Sequence, residues 1–252
     1  MSHPAAFQTH NWHPYCGEAP IPAHWLSHWN WDWMLLGCLA ALLVVGFTTS
    51  RATFREQLAA TGCTIVLFVT PLCALGSALF LARSVHHLAL ALVLAPLLVG
   101  AVGPKAFPRI PLTAATLMQA AIFWAWHVPA LYAQALSNDL VFWAMQLSIT
   151  LSAAAWWASL RRAPALAATG ALLAQMVQMG ALGALLVFAG RAFYAPHWLT
   201  TAPWGLSALE DQQVAGLVMW VGGGGAYLLL ASVMLWRALG ADARPHVAPR
   251  SA

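Results

Sequence analysis

Apolar residues run along this chain in long blocks, not in the two-residue alternation of a half-buried strand. Seven stretches, at about 32–50, 59–81, 85–102, 112–134, 139–160, 166–190 and 212–237, are apolar nearly throughout. Roughly 20 such residues in a helix cross the hydrocarbon layer of a bilayer. The third stretch is the shortest, and a tight turn around Arg83 is expected to join it to the second. Gly and Pro punctuate other connections, as in GPKAFPRIP at 103–111 and RRAP at 161–164, and mark the ends of helices. No internal repeat stands out. The pattern predicts an all-α integral membrane protein, a bundle of about seven transmembrane helices at 32–237. A segment 1–31 precedes it at the outer interface and a cytoplasmic tail 238–252 follows.

Composition agrees with the pattern. Hydrophobic residues make up 61% of the 252 and charged residues 7%, whereas a soluble domain carries roughly 25% charge because its surface faces water. The net charge of +4 does not indicate nucleic acid. The basic residues sit between apolar spans, and no Lys/Arg run with interleaved aromatics offers a groove for phosphates. The first thirty residues lack a basic stretch followed by an apolar core, so no cleavable signal is expected. They hold Trp12, Trp25 and Trp29, and Trp31 and Trp33 follow; tryptophans of this kind anchor in the headgroup belt. Of the four cysteines, Cys38, Cys63 and Cys73 fall in apolar spans and Cys16 stands alone before them. Without a CxxC pair, a disulfide framework is not expected.

Placing the N-terminus outside puts nine of the eleven Lys and Arg residues on the inner side, leaving Arg83 and Arg191 outside. That is the asymmetry expected of cytoplasmic loops. The same placement gathers nine of ten histidines at the outer side: His3, His10, His13, His24, His28, His86, His87, His127 and His197, with His246 in the tail. His127, in the fourth stretch, lies about two turns below its outer end, two residues before Pro129. An ionisable group inside a span is costly and normally faces the bundle interior for a reason, although a neutral histidine bonded to a neighbouring helix would also satisfy the position. His86 and His87 diverge by about 100° on a helix. His87 continues the apolar face Leu90, Leu94 and Leu98 and is the better candidate to point inward; both would otherwise face headgroups.

Asp211 opens the seventh stretch, where an acid can simply cap its helix. Imidazoles and a carboxylate at one depth also make a ligand set for Cu(II), Zn or Fe. Met118, Met145, Met176, Met179 and Met219 add soft sulfur but read first as packing. The long loop 191–211 exceeds a turn and is expected to fold over the outer mouth. The run Gly222–Gly225 suits close helix approach. No nucleophile signature or paired carboxylates indicate enzyme chemistry.

Four blocks carry a resemblance: HHLALALVLAPLLVGAVGP at 86–104, FWAWHVPALYAQAL at 123–136, the pair Trp156–Trp157, and LSALEDQQVAGLVMWVGGG at 206–224. In order and content they resemble the CtaG family of caa3-type cytochrome c oxidase assembly factors, over residues about 80–236. The resemblance implies a copper-binding protein of the bacterial inner membrane with its site facing the periplasm. It would supply copper to the core subunit of a haem-copper oxidase, with a soluble extracytoplasmic copper donor upstream. By matching position it implies His87, His127 and Asp211 as metal-handling residues, with His86 beside them and Gln212 next to Asp211. Relatives carry a further histidine one turn before His87; here that position is Arg83, and the extra histidine is His86. Two other readings stay open on the residues alone. His87 and His127 are also a possible axial pair for a haem, and the chain is also readable as a metal-free structural partner of an oxidase. A transporter lacks the broken-helix pairs and repeats expected of one.

Overall fold

The computed structural model describes residues 12, 14–49 and 54–242. His3, His10, His13, Arg51, His246 and the other residues of 243–252 lie outside that set. Regular structure among the described residues is helical throughout. Five helices are long and apolar enough to cross a membrane: Phe54–Ala78, Phe80–Val102, Asp139–Leu160, Ala165–Val187 and Ala208–Gly240. The chain is thus a multi-pass membrane protein. The first and fourth expected spans correspond to shorter apolar helices, Trp33–Val44 and Leu112–Ala125. Large apolar side chains such as Leu42, Leu117, Val177, Val221 and Leu229 face outward, where lipid makes their exposure favourable.

In chain order the elements are α1 (Trp33–Thr49), α2 (Phe54–Phe68), α3 (Leu72–Ala78), α4 (Phe80–Ala89), α5 (Ala95–Val102), α6 (Leu112–Ala125), α7 (Pro129–Ala135), α8 (Asp139–Leu160), α9 (Ala165–Val187), α10 (Ala208–Leu217) and α11 (Gly224–Asp242). A π-helical turn, Leu90–Leu94, joins α4 to α5, and another, Val218–Gly223, joins α10 to α11. Beside the first, the Trp157 indole donates to the Ala91 carbonyl at 2.8 Å. The neighbouring Trp156 donates to Thr116 Oγ1 at 3.0 Å. The tandem tryptophans of α8 therefore tie two different helices to it.

The connection between the second and third spans differs from the expected turn at Arg83. A single extended residue, Leu79, separates α3 from α4. Arg83 lies one turn inside α4 and is fully buried. The break needs only one residue because a side chain from elsewhere satisfies the freed amides of α4, as described below. The fourth span differs too. Proline has no N–H and its ring clashes with the preceding turn, and it drives the residue before it out of the α region. Val128 accordingly takes ψ 123°, and the helix ends at Ala125 and restarts at Pro129. His127 sits in that gap.

A disulfide joins Cys16 to Cys73 across 57 residues, with Cα atoms 5.3 Å apart. This corrects the expectation from cysteine spacing. Cys73 is not deep in a span: α2 stops at Phe68, and Cys73 lies in the first turn of α3, at the end of the bundle that α4 and α10 also start from. The segment before α1 folds back over this end. The Asn30 amide donates to Val69 O at 2.9 Å, its side chain donates to Phe68 O at 3.1 Å, and the Trp204 indole donates to Pro20 O at 3.1 Å. At the opposite end Arg162 donates to the carbonyls of Pro104, Phe107 and Pro108, stitching the loop 103–111 to α8.

Helix α9 packs against α10 at two facing glycines. A Cβ on Gly183 would stand 2.7 Å from the carbonyl oxygen of Gly216, and one on Gly216 would meet that of Gly183 at the same distance. Backbones this close exclude any side chain. Gly183→Ala is therefore expected to destabilise the bundle by about 1–3 kcal/mol through overpacking. Gly170→Ala, on the same helix with nothing within 4 Å of its Cβ, is expected to leave it unchanged or slightly firmer. Thermal unfolding of the detergent-solubilised variants checks both.

Candidate metal centre

The centre is built on the start of α4. Asp211 Oδ2 accepts from the Phe80 amide at 2.7 Å and Oδ1 from the Leu81 amide at 3.2 Å. A carboxylate from α10 thus caps a helix 130 residues earlier in the chain, where free N–H groups and the helix dipole both favour negative charge. Asp211 is free for this because α10 has its own cap. Ser207 Oγ accepts from the Glu210 amide at 3.2 Å, and Glu210 Oε2 accepts from the Ser207 amide at 2.8 Å. This reciprocal Ser-x-x-Glu arrangement is legible in the sequence LSALED.

From that anchored start, α4 carries Arg83, His86 and His87 into the bundle, all three without solvent exposure. His87 turns toward His127: their ring centroids are 5.6 Å apart at 82°. His86 turns to the other side, where its ring meets Phe68 edge-on at 5.0 Å, and it stays 6.3 Å from the His87 ring.

The break between α6 and α7 aims His127. Its Nδ1 lies 2.7 Å from the Phe123 carbonyl. Only a protonated nitrogen can bond there, so Nδ1 is the donor and Nε2 carries the lone pair. That Nε2 is buried and has no partner, and both ring nitrogens of His86 and of His87 are in the same condition. Aromatic rings wall the pair: Phe123 stacks on His127 at 4.8 Å, and Phe80 stands edge-on to it at 6.2 Å. Buried polar atoms are nearly always bonded, so three ring nitrogens left open where His87 and His127 meet, with two more on His86 at the other side of α4, are unusual.

The loop after α9 closes the centre. Tyr194 stacks on Phe80 at 3.8 Å and its hydroxyl donates to the His127 carbonyl at 2.9 Å. His197 Nε2 lies 2.7 Å from the Tyr132 hydroxyl of α7, and Thr200 Oγ1 donates to Ala78 O at 2.7 Å. Gln212 holds the loop from below. Its Oε1 accepts from the Phe193 amide at 2.7 Å, while Nε2 donates to Arg191 O at 3.3 Å and Leu186 O at 3.4 Å. Burial holds the His197 imidazole far below its ordinary range, at about 3, and pushes the Tyr194 hydroxyl up. His197 is therefore neutral at physiological pH.

Of the residues singled out in the sequence, the structure brings the rings of His87 and His127 together edge to face and keeps His86 on the same helix turn. Asp211 reaches the same cluster through the backbone of Phe80, with both oxygens on amides. Among the described residues no three His, Cys, Asp or Glu side chains converge as a ready metal-ligand group. His24 and His28 lie in the segment before α1, outside this cluster, His24 exposed and His28 half-buried. Met179 and Met219 are core residues without exposure. Sequence reasoning missed Phe80, Tyr132 and Tyr194, which shape the walls. Only the aromatic and Pro content of FYAPHW at 193–198 hinted at an ordered loop.

A family model described as the cytochrome c oxidase caa3 assembly factor (Caa3_CtaG) matches residues 106–241, more than half of the chain. His127, Asp211 and the loop residues Tyr194 and His197 fall within the match, while Arg83, His86 and His87 precede it. No curated protein and no solved structure matches significantly.

Neutral His197 generates a pH dependence. The unfolded imidazole titrates near 6.5 and the folded one near 3. Between those values the unfolded chain binds a proton that the native state does not, so stability rises with pH. The His197 contribution is complete above about pH 6.5 and is lost as the solution is acidified toward about pH 3. In His197→Gln the acid sensitivity of thermal unfolding is expected to be smaller than in the wild type. Equal acid sensitivity in the two proteins would contradict the assignment.

Proposed function

We propose a copper-handling role from one premise: the chain belongs to the cytochrome c oxidase caa3 assembly factor family. A role in oxidase assembly follows from membership. The finer reading is that this protein binds copper between His87 and His127, with His86 alongside, and passes it to the core subunit of a haem-copper oxidase. The observation that carries this reading is the set of open ring nitrogens, His127 Nε2 and both nitrogens of His87, buried 5.6 Å apart between centroids. Metal–imidazole bonds are about 2 Å long, so one ion suits the space between two rings this close. A hydrogen bond on Nδ1, as His127 makes to Phe123, is what orients a metal-binding imidazole and fixes its tautomer.

Copper is cargo in this scheme. It arrives from a soluble donor, exchanges ligands at the imidazole pair and leaves to the oxidase without redox turnover, so the protein acts as a chaperone and not as an enzyme. Asp211 contributes by holding α4, and with it His87, in place. A porphyrin between the two histidines would displace Phe80 and Phe123, which favours an ion over haem.

Two observations support a site facing the periplasm of a bacterial inner membrane. Disulfides persist in oxidising compartments, and Cys16–Cys73 lies at the histidine end. Arg55, Lys105, Arg109, Arg161, Arg162 and Arg237 belong to the opposite end, in keeping with the cytoplasmic excess of basic residues.

His127→Ala and His87→Ala are each expected to lose bound copper while expression and helix content stay at wild-type levels. Metal analysis of the purified proteins after loading with copper reads this out. Wild-type stoichiometry in both variants would contradict the proposal.

A further inference from the structure

Arg83 is a buried cation without a counter-ion among the described residues. It has no solvent exposure, and none of its guanidinium nitrogens makes a hydrogen bond. The Tyr132 hydroxyl, also engaged by His197, is its uncharged polar neighbour, close enough to interact with the guanidinium electrostatically and as a hydrogen-bond partner of marginal geometry. The Asp211 carboxylate gives both oxygens to the amides of Phe80 and Leu81. No described carboxylate forms an ion pair with Arg83. The position is nevertheless a formed one. The guanidinium carbon lies 5.3 Å from the centre of the Phe142 ring, and the head group rests on Gly76, where a Cβ would stand 2.9 Å from that carbon. The fold reserves space for a cation and gives it a π face in place of a counter-ion.

An uncompensated buried charge is strongly destabilising, and an ionisable group inside a membrane bundle marks function by default. Arginine keeps its proton in proteins, so the charge is permanent. Arg83 precedes His86 by three residues and His87 by four, the separations at which helix side chains are neighbours.

We propose that the Arg83 charge makes the histidine pair selective for monovalent over divalent metal, so that the cargo is Cu(I). This inference rests on the copper reading above. A +2 ion beside a fixed positive charge meets twice the repulsion of a +1 ion in the same place. At separations of about 7 Å and an effective dielectric of about 20, the extra charge weakens binding on the order of ten- to hundredfold. The imidazoles are neutral and bring no negative charge to the metal, and the Asp211 carboxylate keeps its charge but spends both oxygens on the amides of α4, so it acts on the ion only at a distance and does not coordinate it. Imidazole alone does not select Cu(I), and the soft sulfur ligands that do are not part of the cluster. The selecting element is therefore a charge held close to the ligands.

The test uses the full chain in detergent, with Ag(I) and Zn(II) as redox-inert monovalent and divalent probes, followed by Cu(I) under anaerobic reductant and Cu(II). The wild type is expected to bind Ag(I) and Cu(I) at least about tenfold more tightly than Zn(II) and Cu(II). Arg83→Gln is expected to narrow that ratio by about tenfold or more, chiefly by strengthening divalent binding. Arg83→Lys, which keeps the charge, is expected to retain it. An unchanged ratio in Arg83→Gln would overturn the proposal. Should that variant not fold, the wild type and Arg83→Lys decide: absence of a monovalent preference in both overturns it. Binding without preference sinks the selectivity alone, whereas a wild type that binds none of the four ions sinks the copper reading and this inference together.

Discussion

The Asp211 carboxylate on the amides of Phe80 and Leu81 is the contact on which the centre depends. It lets a one-residue break at Leu79 separate two helices without leaving the start of α4 bare inside the bundle. Everything after that start is placed by helix geometry: Phe80 against Tyr194 and His127, Arg83 against Gly76 and Phe142, His87 against His127. Because α10 brings its own cap at Ser207 and Glu210, the acid is spared for a helix 130 residues away. The interaction links the two segments that the chain must bring together, and does so at the depth where the imidazoles meet.

Around that anchor the bundle concentrates polarity at one end. Arg83, His86, His87, His127, His197 and Asp211 are all buried there, beneath a loop fastened by Tyr194, Thr200 and Gln212 and an N-terminal segment fastened by the Cys16–Cys73 bridge. The opposite end is held differently, by exposed arginines donating to backbone carbonyls of α5 and of the loop 103–111. One end thus holds a buried cluster with open nitrogens, the other an ordinary membrane boundary. The functional proposal follows from that asymmetry together with family membership.

The sequence showed the helical membrane character plainly, because long apolar blocks at low charge admit few other folds. It also exposed His127, whose neighbour Pro129 announced a disturbance, and it favoured His87 over His86 by its register with Leu90, Leu94 and Leu98. Three features were not legible. Asp211 read as a cap for its own helix and as a candidate metal ligand, and nothing local reveals that it caps another helix. Arg83 read as a turn residue because a positive charge in an apolar run ordinarily marks a boundary; the absent Cβ of Gly76 and the ring of Phe142 that accommodate it are tertiary facts. Cys73 read as part of an apolar span because the apolar run continues across Thr70–Pro71, where the helix breaks, and its pairing with Cys16 depends on how the N-terminal segment folds back.

Structure determination of the copper-loaded protein with anomalous scattering at the copper edge addresses the central claim most directly. The account predicts a single peak between α4 and the α6–α7 break, about 2 Å from Nε2 of His127 and from one ring nitrogen of His87. A peak confined to the N-terminal histidines, or imidazole rings of His87 and His127 bonded to each other or to neighbouring side chains with no metal between them, would contradict it.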